Sequence, residues 1–249
     1  MPDDGSEASA KVGLMAQSDP AALKRAAALK ALDYVTEGMK LGLGTGTTAE
    51  AFLEVLAPRV RGGLKIIGVA SSERTAQKAR SLGIPVDELD KQAPLDLTVD
   101  GADEADRNLT LIKGGGGALL REKIVATSSK KMVVIADDTK LVAKLGRFPL
   151  PVEVSTFGHA TTAARIMRAA DKLKYSRVPL TLRMKGDAPF KTDGGNYIYD
   201  CAFGPIADAH VLAEAIADIP GVIEHGLFVG IASALVIARP DGVEVIEKK

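Results

Sequence analysis

The sequence predicts an α/β protein in which a mostly parallel sheet domain is joined by a second, smaller α+β domain. Short apolar runs at 40–43, 65–70, 95–99 and 131–136 alternate with helical patterns at 47–57, 73–82, 117–128 and 139–145. That alternation is the spacing of βαβ units around a parallel sheet, whose ligands are expected at the carboxyl ends of the strands. After Phe148-Pro149-Leu150-Pro151 the texture changes to shorter strands and two further helices.

Taken in order, residues 1–17 open with Asp3, Asp4 and Glu7 and hold no long apolar core, so a flexible tail is expected rather than a secretory signal. The first helix has Ser18 or Asp19 as cap, Pro20 in its first turn, an alanine-rich body to Val35 and Gly38 just past its end. Beyond Pro151, a strand at 152–155, a helix near 159–171, a strand at 179–184, a turn at Lys185-Gly186-Asp187, a strand at 196–201 and a helix at 208–218 make up the small unit. Gly226 to Ile231, Ala234 to Ala238 and Val243 to Ile246 read as strands returning to the first domain. The expected division is therefore 18–146 with 223–249 against 147–222, the smaller unit offering a surface for oligomer contact.

Composition narrows the function. With 249 residues, 46% of them hydrophobic, the chain can bury a substantial core. Its 32 lysines and arginines cancel 32 acidic residues, which removes the field that a nucleic-acid binder or an anionic-membrane binder needs. The expected partner is a small molecule or another copy of the chain, as a homodimer or higher oligomer. Cys201 is the lone cysteine and lies in a strand-like stretch, so a buried thiol in a reducing, cytoplasmic setting is expected. No stretch approaches the ~20 apolar residues of a membrane span. His159, His210 and His225 have no metal-ligand spacing, so no metal is expected.

Candidate chemistry gathers in two places. Gly42-Leu43-Gly44-Thr45-Gly46-Thr47-Thr48 follows the first strand and precedes a helix, and glycines, hydroxyls and a helix N-terminus make a phosphate cradle. It has neither Walker A nor dinucleotide spacing, and Ala70-Ser71-Ser72 stands where a ribose-binding carboxylate would end the second strand, which argues against NAD. The alternative is a tight turn with Thr47 as helix cap. The second place is 100–123: the acidic turn Asp100-Gly101-Ala102-Asp103, an apolar run from Leu109 to Ile112, Lys113, four glycines, and Glu122 on the helix that follows. A glycine run is costly to order but can aim several N–H groups at one oxygen. Asp100 and Asp103 can equally be turn residues, as Asp106 and Arg107 are expected to be. Three and four residues from Glu122 stand Ala118, Leu119, Val125 and Ala126, apolar company that raises a carboxylate's pKa and suits it as a base. A solvated Arg121-Glu122-Lys123 face is the alternative.

These blocks resemble the A-type ribose-5-phosphate isomerase family. The resemblance runs from about Lys24 to Asp241 and rests on Gly44-Thr45-Gly46-Thr47-Thr48, Asp100-Gly101-Ala102-Asp103-Glu104, Lys113-Gly114-Gly115-Gly116 with Arg121-Glu122-Lys123, and Phe148-Pro149-Leu150-Pro151-Val152-Glu153-Val154. It implies a Rossmann-like catalytic domain, a pentose phosphate pathway reaction between ribose 5-phosphate and ribulose 5-phosphate, and no cofactor. It also implies Glu122 as proton acceptor, with Lys113, Asp100 and Asp103 lining the sugar. Thr45, Gly46, Thr47, Thr48 and Lys140 would join the substrate site, with Lys24 as a second candidate for the phosphate. Thr47 stands where the family often has serine, which keeps the hydroxyl. Ser71 to Thr75 and Gly230 to Ser233 match more loosely and receive no function. Aldose–ketose interconversion needs a base that moves a proton through an enediolate while fixed donors hold the oxyanion. Lys113 and the N–H groups of Gly114 to Gly117 would supply those donors. Two rivals share similar cores. A coenzyme A transferase would use Glu122 as nucleophile, although no second lobe for the coenzyme is visible. A sugar-phosphate sensor would want a basic helix-turn-helix, and residues 1–17 are not basic.

Overall fold

The structure, a computed structural model, describes residues 19–248, so the expected 1–17 tail and Ser18 lie outside the described residues. Helix α1 (Pro20–Ala31) starts where the Asp19 carboxylate accepts the Ala21 N–H at 3.0 Å, with Pro20 in the first turn. It stops at Ala31, short of the expected Val35, because the chain tightens into a single 3-10 turn over Leu32–Tyr34. Then follow β1 (Lys40–Leu43), α2 (Thr47–Arg61), β2 (Ile67–Ala70), α3 (Glu73–Ser81), the single turn α4 (Leu89–Gln92) and β3 (Leu97–Asp100). Two short strands, β4 (Glu104–Ala105) and β5 (Leu111–Ile112), lead to α5 (Leu119–Thr127) and β6 (Met132–Asp137). The second half holds β7 (Leu150–Val154), α6 (His159–Lys172), β8 (Leu180–Leu182), β9 (Met184–Lys185), β10 (Ala188–Pro189), β11 (Tyr197–Cys201), α7 (Ala209–Ala217), β12 (Val222–His225), β13 (Leu227–Phe228), β14 (Ala234–Arg239) and β15 (Gly242–Glu247).

Six strands form the main sheet in the order β15-β14-β6-β3-β1-β2, parallel except for β15. Every residue of β3 and β6 is buried, and in β6 that burial reads as a continuous apolar run from Met132 to Ala136 rather than an alternating one. Alternate strand residues still divide between two layers. Leu41, Leu43, Val99 and Ile135 pack with Ala27 of α1 and with Phe52 and Leu56 of α2, while Met132, Val134 and Leu235 pack on the other side with Ala126 and Phe228. The chain steps from β1 out to β2 and then back across β1 to β3, so a crevice opens at the carboxyl ends of β1 and β3.

A four-stranded antiparallel sheet, β12-β7-β11-β8, is built from the region after Pro149, and Val152, Val154, Ile166, Leu212 and Ile216 join it to α6 and α7. Two expectations are corrected. No helix forms over 139–145: Asp137 accepts the N–H of Thr139 and ends the strand in a 3-10 turn (Asp138–Lys140), after which Val142 donates to the Ala105 carbonyl at 2.9 Å and the chain runs on without a helix. The run from Leu109 to Ile112 is strand only at its end, because the Asp106 carboxylate accepts the N–H groups of Asn108 and Thr110 and holds Leu109 at φ 62°. Gly226 to Ile231 does return to the 18–146 part of the chain, as the short β13, which pairs with β5 in a small sheet, β13-β5-β4. The two strands that do return to the main sheet are β14 and β15.

Candidate active site

A cavity of about 500 Å³ occupies the crevice at the carboxyl ends of β1, β3 and β6. Its walls bring together Thr45 to Thr48, Gly101 to Asp103, Lys113 to Gly116, Glu122 and Lys140, residues up to 95 positions apart in sequence. Asp100 is the exception among the candidates: it is fully buried and lies behind the wall rather than on it.

Asp100, Lys113 and Glu122 form one buried cluster. Lys113 reaches it from the end of β5, where its own N–H donates to the Gly226 carbonyl. The ammonium donates to the Gly101 carbonyl at 2.7 Å and lies 2.9 Å from Asp100 Oδ2 and 3.2 Å from Glu122 Oε1. Asp100 Oδ2 is buried and is held by this ion pair with the ammonium. Asp100 Oδ1 accepts the N–H groups of Gly101 at 2.7 Å and Thr45 at 3.1 Å. Gly44 is required here, since a Cβ on it would lie 2.6 Å from the Asp100 Cα. Glu122 Oε2 is buried without a hydrogen-bond partner, a carboxylate oxygen with uncommitted lone pairs.

The electrostatics follow from that geometry. Burial pushes the Glu122 carboxyl up to about 8, with Lys113 pulling it back and the Asp100 charge adding to the rise. Burial likewise raises Asp100 against the pull of Lys113 and its two amide donors. Burial works against the Lys113 charge, but Asp100 and Glu122 outweigh it and hold the ammonium above the ordinary lysine value. The solvated-face alternative for 121–123 fails at Glu122 and Lys123. Glu122 is buried, and Lys123 donates to Glu224 at 2.6 Å and to the His225 carbonyl at 2.7 Å; only Arg121, beside Glu73, stays near the surface.

In the glycine loop, Asp103 Oδ2 accepts the Gly115 N–H at 2.7 Å and the Gly114 carbonyl accepts the Gly117 N–H at 2.9 Å. Two of the four amides expected to meet an oxyanion are therefore already engaged, one by Asp103 and one within the loop. Gly114 and Gly116 both line the cavity.

At the other end of the cavity the N-terminus of α2 opens on Gly46, and no side chain caps it, which excludes the reading of Thr47 as helix cap. Lys24 of α1 donates to Thr47 Oγ1 at 2.9 Å and shares the wall with Lys140. Thr45 turns its hydroxyl the other way, within 2.8 Å of Ser71, 2.9 Å of Ser72 and 3.1 Å of Thr75. Sequence reasoning gave Ser71 to Thr75 no function, yet these hydroxyls fix the loop. Two hydroxyl residues at a strand end with a third one turn on was the available signal. It also missed Asp137 to Thr139 at the end of β6, although sheet order alone places that end beside β3.

The family model described as Ribose 5-phosphate isomerase A (phosphoriboisomerase A) matches residues 67–242. The chain belongs to the ribose 5-phosphate isomerase A family. It is 57% identical over 225 residues to the ribose-5-phosphate isomerase A of Allorhizobium ampelinum, covering 90% of this chain and 97% of that protein. Among solved structures, the ribose 5-phosphate isomerase of Plasmodium falciparum superposes with a TM-score of 0.87 at 38% identity, covering 92% and 99% of the two chains. A D-ribose-5-phosphate isomerase in complex with phospho-erythronic acid gives a TM-score of 0.85 at 35% identity, covering 92% and 99%. Ribose 5-phosphate isomerase A is an aldose–ketose isomerase of the pentose phosphate pathway, and that membership leaves the coenzyme A transferase and sensor readings without support. Among the described residues, no helix is long and apolar enough to cross a membrane.

Proposed function

We propose that this chain interconverts ribose 5-phosphate and ribulose 5-phosphate with Glu122 as the base. The observation that carries the proposal is a buried carboxylate, 3% exposed and beside a buried lysine, in the wall of a cavity whose far end is an uncapped helix N-terminus with two lysines. The 5-phosphate sits against the amides and hydroxyls of Thr47 and Thr48 with Lys24 and Lys140, which places the first two carbons of the sugar toward Glu122. Glu122 takes the proton from the second carbon of the aldose and returns it to the first, while the hydroxyl proton passes from the oxygen of the second carbon to that of the first. The Gly116 amide and the Lys113 charge stabilise the enediolate that forms between. Asp103 opens the furanose and orients hydroxyls, while Asp100, behind the wall, fixes Lys113 and the Thr45 loop.

The catalytic unit on this reading is 18–146 with 223–249, and 147–222 offers the contact surface for a second copy of the chain. Exposed Phe157 on the smaller unit supports that contact. A cytoplasmic setting is supported by a family of central metabolism.

The substrate class is tested by comparing ribose 5-phosphate with ribose. Losing the phosphate removes two or three charge-assisted hydrogen bonds of about 1.5–3 kcal/mol each, so kcat/KM for ribose is expected to fall by roughly 10²-fold or more. Equal kcat/KM for the two sugars would show that α2 and its lysines hold no phosphate.

A further inference from the structure

We propose that Arg183, clamped by Asp200, is a positioning residue for the isomerisation and acts by setting the peptide planes of the glycine loop. Arg183 lies between β8 and β9, in the smaller unit, and its side chain is 15% exposed. Its Nε is 3.0 Å from Asp200 Oδ2 and its Nη2 2.5 Å from Oδ1, a two-point pair that fixes the guanidinium. The remaining nitrogen, Nη1, donates to the carbonyls of Gly114 at 2.8 Å and Gly115 at 3.2 Å. The face of the guanidinium lies 6.0 Å from the centroid of the Phe190 ring, and that ring packs on Gly117, whose φ of 79° and lack of a Cβ make room for it.

In a trans peptide the C=O and the following N–H point in opposite directions. Holding the Gly114 carbonyl therefore turns the Gly115 N–H away from Arg183, where Asp103 accepts it at 2.7 Å. Holding the Gly115 carbonyl turns the Gly116 N–H the same way, toward the wall that Gly116 shares with Lys113 and Glu122. A cation on two carbonyl oxygens also polarises those peptides and strengthens their N–H donors. Arg183 itself does not line the cavity, so its influence reaches the sugar only through the loop. A lysine cannot take its place, because one ammonium cannot grip a carboxylate at two points and span two carbonyls.

The inference rests on the assignment of the glycine loop as the oxyanion site. Its test is kcat and KM for ribose 5-phosphate in Arg183→Met, Arg183→Lys and Asp200→Asn, with binding of phospho-erythronic acid and of inorganic phosphate measured alongside. Phospho-erythronic acid carries a planar anionic group where the enediolate would form, whereas inorganic phosphate probes only the α2 end. Arg183→Met is expected to lower kcat by about 10–100-fold, below the loss for a direct oxyanion donor, with KM within about 3-fold. Affinity for phospho-erythronic acid should fall in step with kcat and affinity for inorganic phosphate should not change. Arg183→Lys should recover only part of the loss, and Asp200→Asn should lose about 3–10-fold in kcat. Should Arg183→Met fail to fold, Asp200→Asn carries the test. A folded Arg183→Met, or in its place a folded Asp200→Asn, with kcat within about 2-fold of the parent overturns the proposal. Equal losses of affinity for both ligands do so as well, because they would mark a general loosening of the site. If Glu122→Gln is inactive while Arg183→Met is unimpaired, only this inference falls; if Glu122→Gln keeps full activity, the assignment of the site falls with it.

Discussion

Glu122 carries two opposing demands. Burial holds its carboxyl up to about 8, yet a base works only when ionised. The sign follows directly: below that value the free enzyme binds a proton that blocks the reaction, so kcat/KM is expected to rise with pH, up to tenfold per unit, and to level off between pH 8 and 9. The second ionisation of a sugar phosphate lies near 6 and would produce its own rise lower down. The informative range is therefore pH 7 to 9, and a kcat/KM that is flat there would show that Glu122 is ionised well below neutrality and that the cluster does not act as drawn. Lys113 sets how far this goes. Its charge is the main force pulling the Glu122 carboxyl back toward the ordinary range, and Asp100 keeps the lysine in place from behind.

At the scale of elements, the proposed function divides the substrate between α2 and the glycine loop. Helix α2 begins on Gly46 without a side-chain cap, so its first amides and the hydroxyls of Thr47 and Thr48 remain open to an anion. Replacing both threonines by valine is expected to raise KM for ribose 5-phosphate by about tenfold while kcat stays within a few-fold, because phosphate contacts are present in ground and transition states alike. An unchanged KM in the folded double variant would place the phosphate elsewhere. The location of this cradle was legible in the sequence because glycines, hydroxyls and a helix start are adjacent in the chain. The inward turn of Thr45 was not, because Ser71, Ser72 and Thr75 that hold it come from the next strand end. The helix expected over 139–145 failed for a related reason: the carbonyl of Ala105, distant in sequence, takes the Val142 N–H that a helix would have bonded within itself.

Across the whole molecule, the two sheets meet at the site. The main sheet supplies Asp100 at its carboxyl edge, while Arg183 and Asp200 of the smaller unit close on the glycine loop from the other side. Alternating apolar runs sufficed to foresee the parallel sheet, since burial of β6 writes itself into sequence. The link from Arg183 to Gly114 spans 69 positions and no local pattern announces it. The same packing makes the ionised site costly to the fold. Glu122 is raised from 4.5 to about 8 on folding, so the stability it contributes is fully present below pH 4.5 and is lost as pH rises to 8. A glutamine there would escape that loss and should leave thermal stability unchanged or higher at pH 8, which separates loss of chemistry from loss of fold. The central claim therefore meets its most direct test in the kcat and KM of Glu122→Gln for the interconversion of ribose 5-phosphate and ribulose 5-phosphate at pH 8. Removing the base while keeping its size is expected to lower kcat by roughly 10²–10⁴-fold with little change in KM, in a protein that melts no lower than the parent. A folded Glu122→Gln enzyme that turns over within a few-fold of the parent would contradict it.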